Sequence, residues 1–422
     1  MSAHNAFYAQ SGGVTPVINA SAAGVIQTAA KHPDKINKVY AGQDGIIGAL
    51  TENLIDTSLE RAEDIEALKY TPAGAFGSCR YKLKSIEEHR PQYERIIDVF
   101  KAHDIRYFFY NGGGDSQDTS HKVSQISESL GYPITCIGVP KTIDNDLPFT
   151  DCSPGFGSVA KYVAVSILEA SMDVESMSSS STKVFVMEVM GRHAGWIAAA
   201  SGLASDDRGL GPDIILFPEV EFQQQQFLDK VEQTVARKGF CSVVVSEGVK
   251  HPDGRFLADS GIKDAFGHAQ LGGVAPVVTD VIKQGLNLKC HWAVCDYLQR
   301  AARHIGSKTD MEQAYALGEA AVELAMAGEN AVMPIIIRKQ NNPYIWEVGH
   351  APLSKIANVE EKMPADYITD DGLFISDKCR TYLSPLIQGE DYPPYENGLP
   401  AYVRLQKHKL TKKLPAVTGF TI

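Results

Sequence analysis

Short apolar runs that end in polar, glycine-rich turns recur along this chain, separated by longer amphipathic stretches. That alternation restricts the fold more than any other feature. Ala6–Gln10 reads as a strand, followed by Gly12-Gly13 and a helix through about Ala30. Lys38–Ala41 is a second strand, Pro91–His103 a helix, and Tyr107–Tyr110 a continuous apolar strand; Ile134–Val139 follows the next helix. Strand–helix–strand order of this kind implies a parallel sheet covered on both faces. The pattern restarts after the Pro- and Gly-containing segment Leu147–Gly157, with strands at Val184–Val189, Ile214–Phe217 and Val243–Ser246 and a helix over Phe222–Lys238. The expectation is an α/β chain of two doubly wound, Rossmann-like domains with the site in the cleft between them. Met363–Ile422 has only a weak pattern, and no elements are assigned there.

In open α/β sheets, ligands bind beyond the carboxyl ends of the strands. The chemistry-bearing residues of this chain fall there: Gly12-Gly13, Asn111–Ser116, Pro140–Asp146, Met190–Arg192 and Ser246–Gly248 each follow a strand. A net charge of −11 makes a general nucleic-acid binder a poor fit, so an anionic substrate needs a local basic pocket. The seven cysteines are odd in number and show no C-x-x-C spacing, which argues against a disulfide framework or structural zinc and for reduced thiols. No apolar run approaches the ~18–20 residues of a membrane span, and Met1–Gln10 lacks a signal-peptide pattern. These features suggest a soluble, cytoplasmic protein with no membrane or nucleic-acid partner.

Asn111-Gly-Gly-Gly-Asp115-Ser116 sets three glycines between a strand and a helix, so backbone N–H groups can approach an anion unobstructed. The plain alternative is a tight turn with an Asp or Ser cap. Lys141-Thr142-Ile143-Asp144-Asn145-Asp146 gathers two carboxylates, a cation and a hydroxyl in one short loop. Phosphoryl transfer to an alcohol needs such a set: a base beside the attacking hydroxyl and cations for the moving group. A solvated polar turn is its alternative. Arg192, at a helix start where the dipole disfavours a cation, suits an anion nearby. Arg80, Lys82 and Lys84 form a further basic cluster that also reads as a solvated loop. Gly155-Phe-Gly157-Ser-Val-Ala160 matches a dinucleotide fingerprint in letters, but it follows Pro148 and Pro154 rather than a strand, so a helix-start glycine pair is the better reading. No G-x-x-x-x-G-K-[ST] is present.

Together these motifs resemble the phosphofructokinase family from about Ala6 to about Arg338. ATP-using members read Gly-Gly-Asp-Gly-Ser, Pro-Gly-Thr-Ile-Asp-Asn-Asp and Met-Gly-Arg at the corresponding places. Gly77–Arg80, Ser246–Gly248 and Gln299-Arg300 match further pieces in the family's order. Asp115 and Lys141 stand where ATP enzymes have Gly, and the family's pyrophosphate branch carries this pair. A carboxylate at Asp115 would fill and charge the space that an ATP α-phosphate needs, and Lys141 would offset charge on the leaving phosphate. Val14 replaces an Asp common in ATP enzymes.

The resemblance implies a reversible, magnesium-dependent transfer from pyrophosphate to the 1-hydroxyl of fructose 6-phosphate, a glycolytic step. Asp144 would be the proton acceptor, and Thr142, Asp146, Met190, Gly191, Arg192 and Glu247 would position the sugar. Tyr297 and Arg300 would hold the 6-phosphate. Gly12, Gly13, Arg80, Lys82, Gly113, Gly114 and Lys141 would cradle the diphosphate, while Asp115 and Asp146 would hold Mg2+. Lys183 and His291 align with residues that reach across a subunit interface, which implies a homodimer or tetramer. Residues 1–155 plus about 298–350 would form the donor domain, and 156–297 plus about 351–422 the sugar domain. The alternatives are an ATP-dependent enzyme, the same chemistry on sedoheptulose 7-phosphate, or a catalytically silent regulatory homologue.

Overall fold

In the computed structural model, which describes residues 3–206, 208–263, 269–271 and 273–417, two open sheets carry most of the strands. The first has seven strands in the order Ile345–Pro352, Val332–Gln340, Thr135–Pro140, Ile105–Gly112, His4–Gln10, Ile36–Gly42, Leu54–Asp56. Its five inner strands run parallel and both edges are antiparallel. Strand His4–Gln10 is apolar on both faces because both are covered: Phe7 packs into one core cluster and its neighbour Tyr8 into the other. The strand lies between Ile36–Gly42 and Ile105–Gly112, so the winding reverses beside it and opens a crevice at its carboxyl end.

The second sheet orders four parallel strands as Cys290–Val294, Val184–Val189, Cys241–Ser246, Ile214–Leu216. Alternation works here too: Val184 and Val186 enter one cluster, Met187 and Val189 the other. The winding reverses between Val184–Val189 and Cys290–Val294, which sets Met190–Arg192 and Cys295–Arg300 around a second crevice.

The long helix Phe156–Met177 begins after Gly155, whose φ of 108° favours glycine. The Asp310 carboxylate accepts hydrogen bonds from Gly155 N and Ser158 N at 2.8 and 2.9 Å. The chain's own carboxylate therefore fills this helix N-terminus, and the dinucleotide-like letters mark a cap, not a cofactor site.

The C-terminal region is more ordered than its sequence pattern suggested. Helix Asp377–Leu383 packs with the second domain, and Cys379 and Leu383 join its core. In the last stretch, residues 403–417 run along the first domain. Their backbone N–H groups satisfy two acidic side chains there: Gln406 and Lys407 donate to Glu60, Lys413 and Leu414 to Glu52. Leu410 and Leu414 cover one first-domain cluster, Val403 and Leu405 the other. No helix among the described residues is long and apolar enough to cross a membrane.

Candidate active site

The carboxyl ends of both sheets face one cleft of about 770 Å3, within the usual size of a small-molecule site. Gly12, Gly13, Arg80, Gly113, Gly114, Asp115 and Lys141 line it from the first domain. Gly113 precedes helix Gly114–Ser129, and a Cβ added at Gly114 would meet no atom within 4 Å, so the helix N-terminus opens onto free space. Lys141 is buried and its Nζ donates to Gly13 O at 2.8 Å. Burial lowers its pKa to about 8, against the opposing pull of Asp144. Asp115 Oδ1 pairs with Lys82 Nζ at 2.6 Å. Lys82 is thereby held beside Asp115.

The catalytic-type loop crosses the floor. Thr142 Oγ1 accepts from Asp144 N at 3.1 Å. Asn145 holds φ 55°, and its side chain is gripped on both ends, donating to Tyr382 OH (3.0 Å) and accepting from Ser153 N (2.9 Å). That grip turns Asp144 and Asp146 into the cleft. Burial raises the pKa of Asp144, reinforced by Glu247; burial raises Asp146, reinforced by Asp144 and Glu360. Both carboxylates are thereby more basic than ordinary ones.

Met190 and Arg192 supply the second-domain wall, with Glu247 beside them. Gly191 has φ 134°, and its N–H donates to Glu247 Oε1 at 3.3 Å, while Ser246 Oγ donates to Gly191 O. A Cβ at Gly248 would sit 2.1 Å from Arg192 O. Gly248→Ala should therefore push the Arg192 turn out of place and lower kcat/KM by roughly 10- to 100-fold, since small displacements of positioning groups carry such costs. Steady-state kinetics within twofold of the wild type would refute this account of the turn.

Tyr297 is exposed, and the Arg300 guanidinium stacks 3.7 Å above its ring. Arg300 Nη1 lies 2.7 Å from where a Gly13 Cβ would be, so this side chain stands beside the Gly12-Gly13 turn. Lys183 and His291 are not brought into the cleft. They lie at the amino ends of their strands, where Lys183 Nζ donates to Ser178 O and His291 pairs in register with Phe185. Sequence reasoning missed Glu188, Asp296 and the Glu360-Glu361-Lys362 strap, all of which line the cleft. Glu-Glu-Lys in a loop carries no local signal; only its docking, through Glu361 N on Asp146 O at 2.7 Å, brings it in.

A phosphofructokinase family model matches residues 5–325. The chain belongs to the phosphofructokinase family. It is 65% identical over 415 residues to the pyrophosphate–fructose 6-phosphate 1-phosphotransferase of Halomonas elongata, covering 98% of this chain and 99% of that protein. The crystal structure of a pyrophosphate-dependent phosphofructokinase from Nitrosospira multiformis superposes with a TM-score of 0.92 at 64% identity, covering 99% of this chain and 100% of that one. An ATP-dependent 6-phosphofructokinase of Chloroflexus aggregans is more distant, 31% identical over 75% of this chain and 83% of that protein. Within the family the chain groups with the pyrophosphate branch, and it is a phosphotransferase.

Proposed function

We propose that this enzyme transfers a phosphoryl group reversibly from pyrophosphate to the 1-hydroxyl of fructose 6-phosphate, giving fructose 1,6-bisphosphate and phosphate. The observation that carries this reading is that buried Lys141, donating to Gly13 O, and Asp115, at the open glycine turn, line the same cleft. The names of the Halomonas and Nitrosospira relatives support the same donor.

In this reading the Asp144 carboxylate takes the proton from the 1-hydroxyl as its oxygen attacks phosphorus. The bridging P–O bond breaks, and its electron pair leaves with inorganic phosphate. Lys141 offsets the charge that grows on that phosphate, and Arg192 grips the moving group. Glu247, fixed to Gly191 N, orients the sugar hydroxyls. The acidic side chains beside the loop offer hard oxygen ligands that suit magnesium, with Asp146 the first candidate and Asp115 the second. Among the described residues no three metal-ligating side chains converge, so pyrophosphate oxygens and water would complete the shell. Magnesium would neutralise pyrophosphate charge.

All seven cysteines are free, in keeping with a reducing, cytoplasmic setting. The edge strand Cys290–Val294 exposes Trp292 and Val294, with Tyr297 and Leu298 just beyond, and this apolar face suits a second copy docking beside Lys183 and His291 to form a homodimer.

The free enzyme should show a bell-shaped pH dependence of kcat/KM. Activity rises as Asp144 loses its proton, at a pH well above the ordinary carboxylate range because of burial, and falls as Lys141 loses its proton near 8. A profile flat across the neutral range would contradict these roles. Phosphorus NMR of the product tests the reaction itself: a new phosphomonoester at the sugar's 1-position supports it, and one at another position overturns it.

A further inference from the structure

The cationic side chains of the cleft are unevenly distributed. Lys141, Arg300 and Arg80 gather around Gly13: Lys141 Nζ donates to its carbonyl, and a Cβ built there would meet Arg300 Nη1 at 2.7 Å and Arg80 Nη2 at 3.6 Å. The opposite wall has Arg192 and Lys362. Lys362 sits on a strap that passes from one domain to the other. Ile356 is buried in a first-domain cluster with Leu353, and Met363 in the second-domain core with Ala194 and Trp196. Between those anchors Glu361 N donates to Asp146 O at 2.7 Å. Lys362 also faces Glu219, whose Oε1 accepts from Gly195 N at 2.8 Å, three residues beyond Arg192. The strap thus holds Lys362 at the cleft between the Asp144–Asp146 loop and the Arg192 turn, with Glu219 the carboxylate it acts on.

We propose that Lys362 is a substrate-binding residue whose ammonium holds a phosphate oxygen of the sugar phosphate against the Arg192 wall. A sugar phosphate brings about two negative charges, and a lysine on a flexible stem is a point charge suited to them. The donor-side cations are already clustered at the other wall. Because the strap is anchored in both domains, Lys362 also ties sugar binding to the spacing between them.

The inference rests on the reading of the cleft as a fructose 6-phosphate site, and the test separates the two. In wild-type enzyme, turnover of fructose 6-phosphate tests that reading; its absence overturns both. Given turnover, Lys362→Met should raise the KM for fructose 6-phosphate by roughly 10- to 100-fold, the range for losing one charge-assisted hydrogen bond. The KM for pyrophosphate and the Tm should stay near wild type, and Lys362→Arg should recover most of the loss. An unchanged sugar KM overturns the proposal. So does a rise confined to the pyrophosphate KM, or a fall in Tm with both KM values intact, which would make Lys362 a structural partner of Glu219.

Discussion

Asp144→Ala should lower kcat by about 10^2- to 10^4-fold while the KM for fructose 6-phosphate stays near wild type, the range expected when a positioned general base is removed. The loop does not depend on this carboxylate for its shape. Asn145 is held by Tyr382 and Ser153, and Thr142 binds Asp144 through its backbone N–H, which alanine keeps. Removing the charge also relieves Asp146 of a like neighbour that raises its pKa, so ground-state binding of anions should not weaken. Asp144→Asn, with the same shape and no basicity, should be equally slow. Turnover within tenfold of the wild type in both variants would mean that another group takes the proton.

Asp115→Gly with Lys141→Gly should lower kcat/KM for pyrophosphate by roughly 10^2-fold or more, the scale of losing a group that stabilises transition-state charge. Lys141 is the buried member, and its removal empties the space in front of Gly12 and Gly13. Asp115 and Lys82 are each about half exposed, so their ion pair contributes about 0–1 kcal/mol and the double variant should remain folded. Thermal unfolding checks this point. Taking away the Asp115 carboxylate removes a charge opposed to a longer polyphosphate chain, so any gain in ATP use should come from this substitution. Unchanged pyrophosphate kinetics would remove the physical basis for reading the donor from these two positions.

The residues legible in the sequence share one property: they follow apolar runs. Gly12-Gly13, Asn111–Ser116, Pro140–Asp146, Met190–Arg192 and Ser246–Gly248 reach the same cleft because the parallel strands that precede them end toward it. Strands Val332–Gln340 and Ile345–Pro352 passed unassigned, although their antiparallel pairing closes the first sheet. Val332–Ile336 are buried while Ile345–Pro352 is mostly exposed, with Ala351 its buried residue, so no single period runs through both. Groups set by tertiary docking were also hidden. Lys82 reaches Asp115 by an ion pair, Arg300 leans from the second domain's crevice to Gly13, and Glu360–Lys362 arrive on a strap held by a backbone hydrogen bond. Residues 403–417 dock by satisfying Glu52 and Glu60 with backbone N–H groups, which side-chain letters do not announce. Lys183 and His291 were placed by alignment alone, and within one chain they remain outside the cleft.

The central claim is the donor, and a parallel assay tests it most directly. Purified protein is supplied with fructose 6-phosphate and magnesium, with pyrophosphate in one arm and ATP in the other. Turnover with pyrophosphate and none with ATP is the predicted result. Turnover with ATP alone would leave the family and the sugar wall standing and contradict the roles given to Asp115 and Lys141.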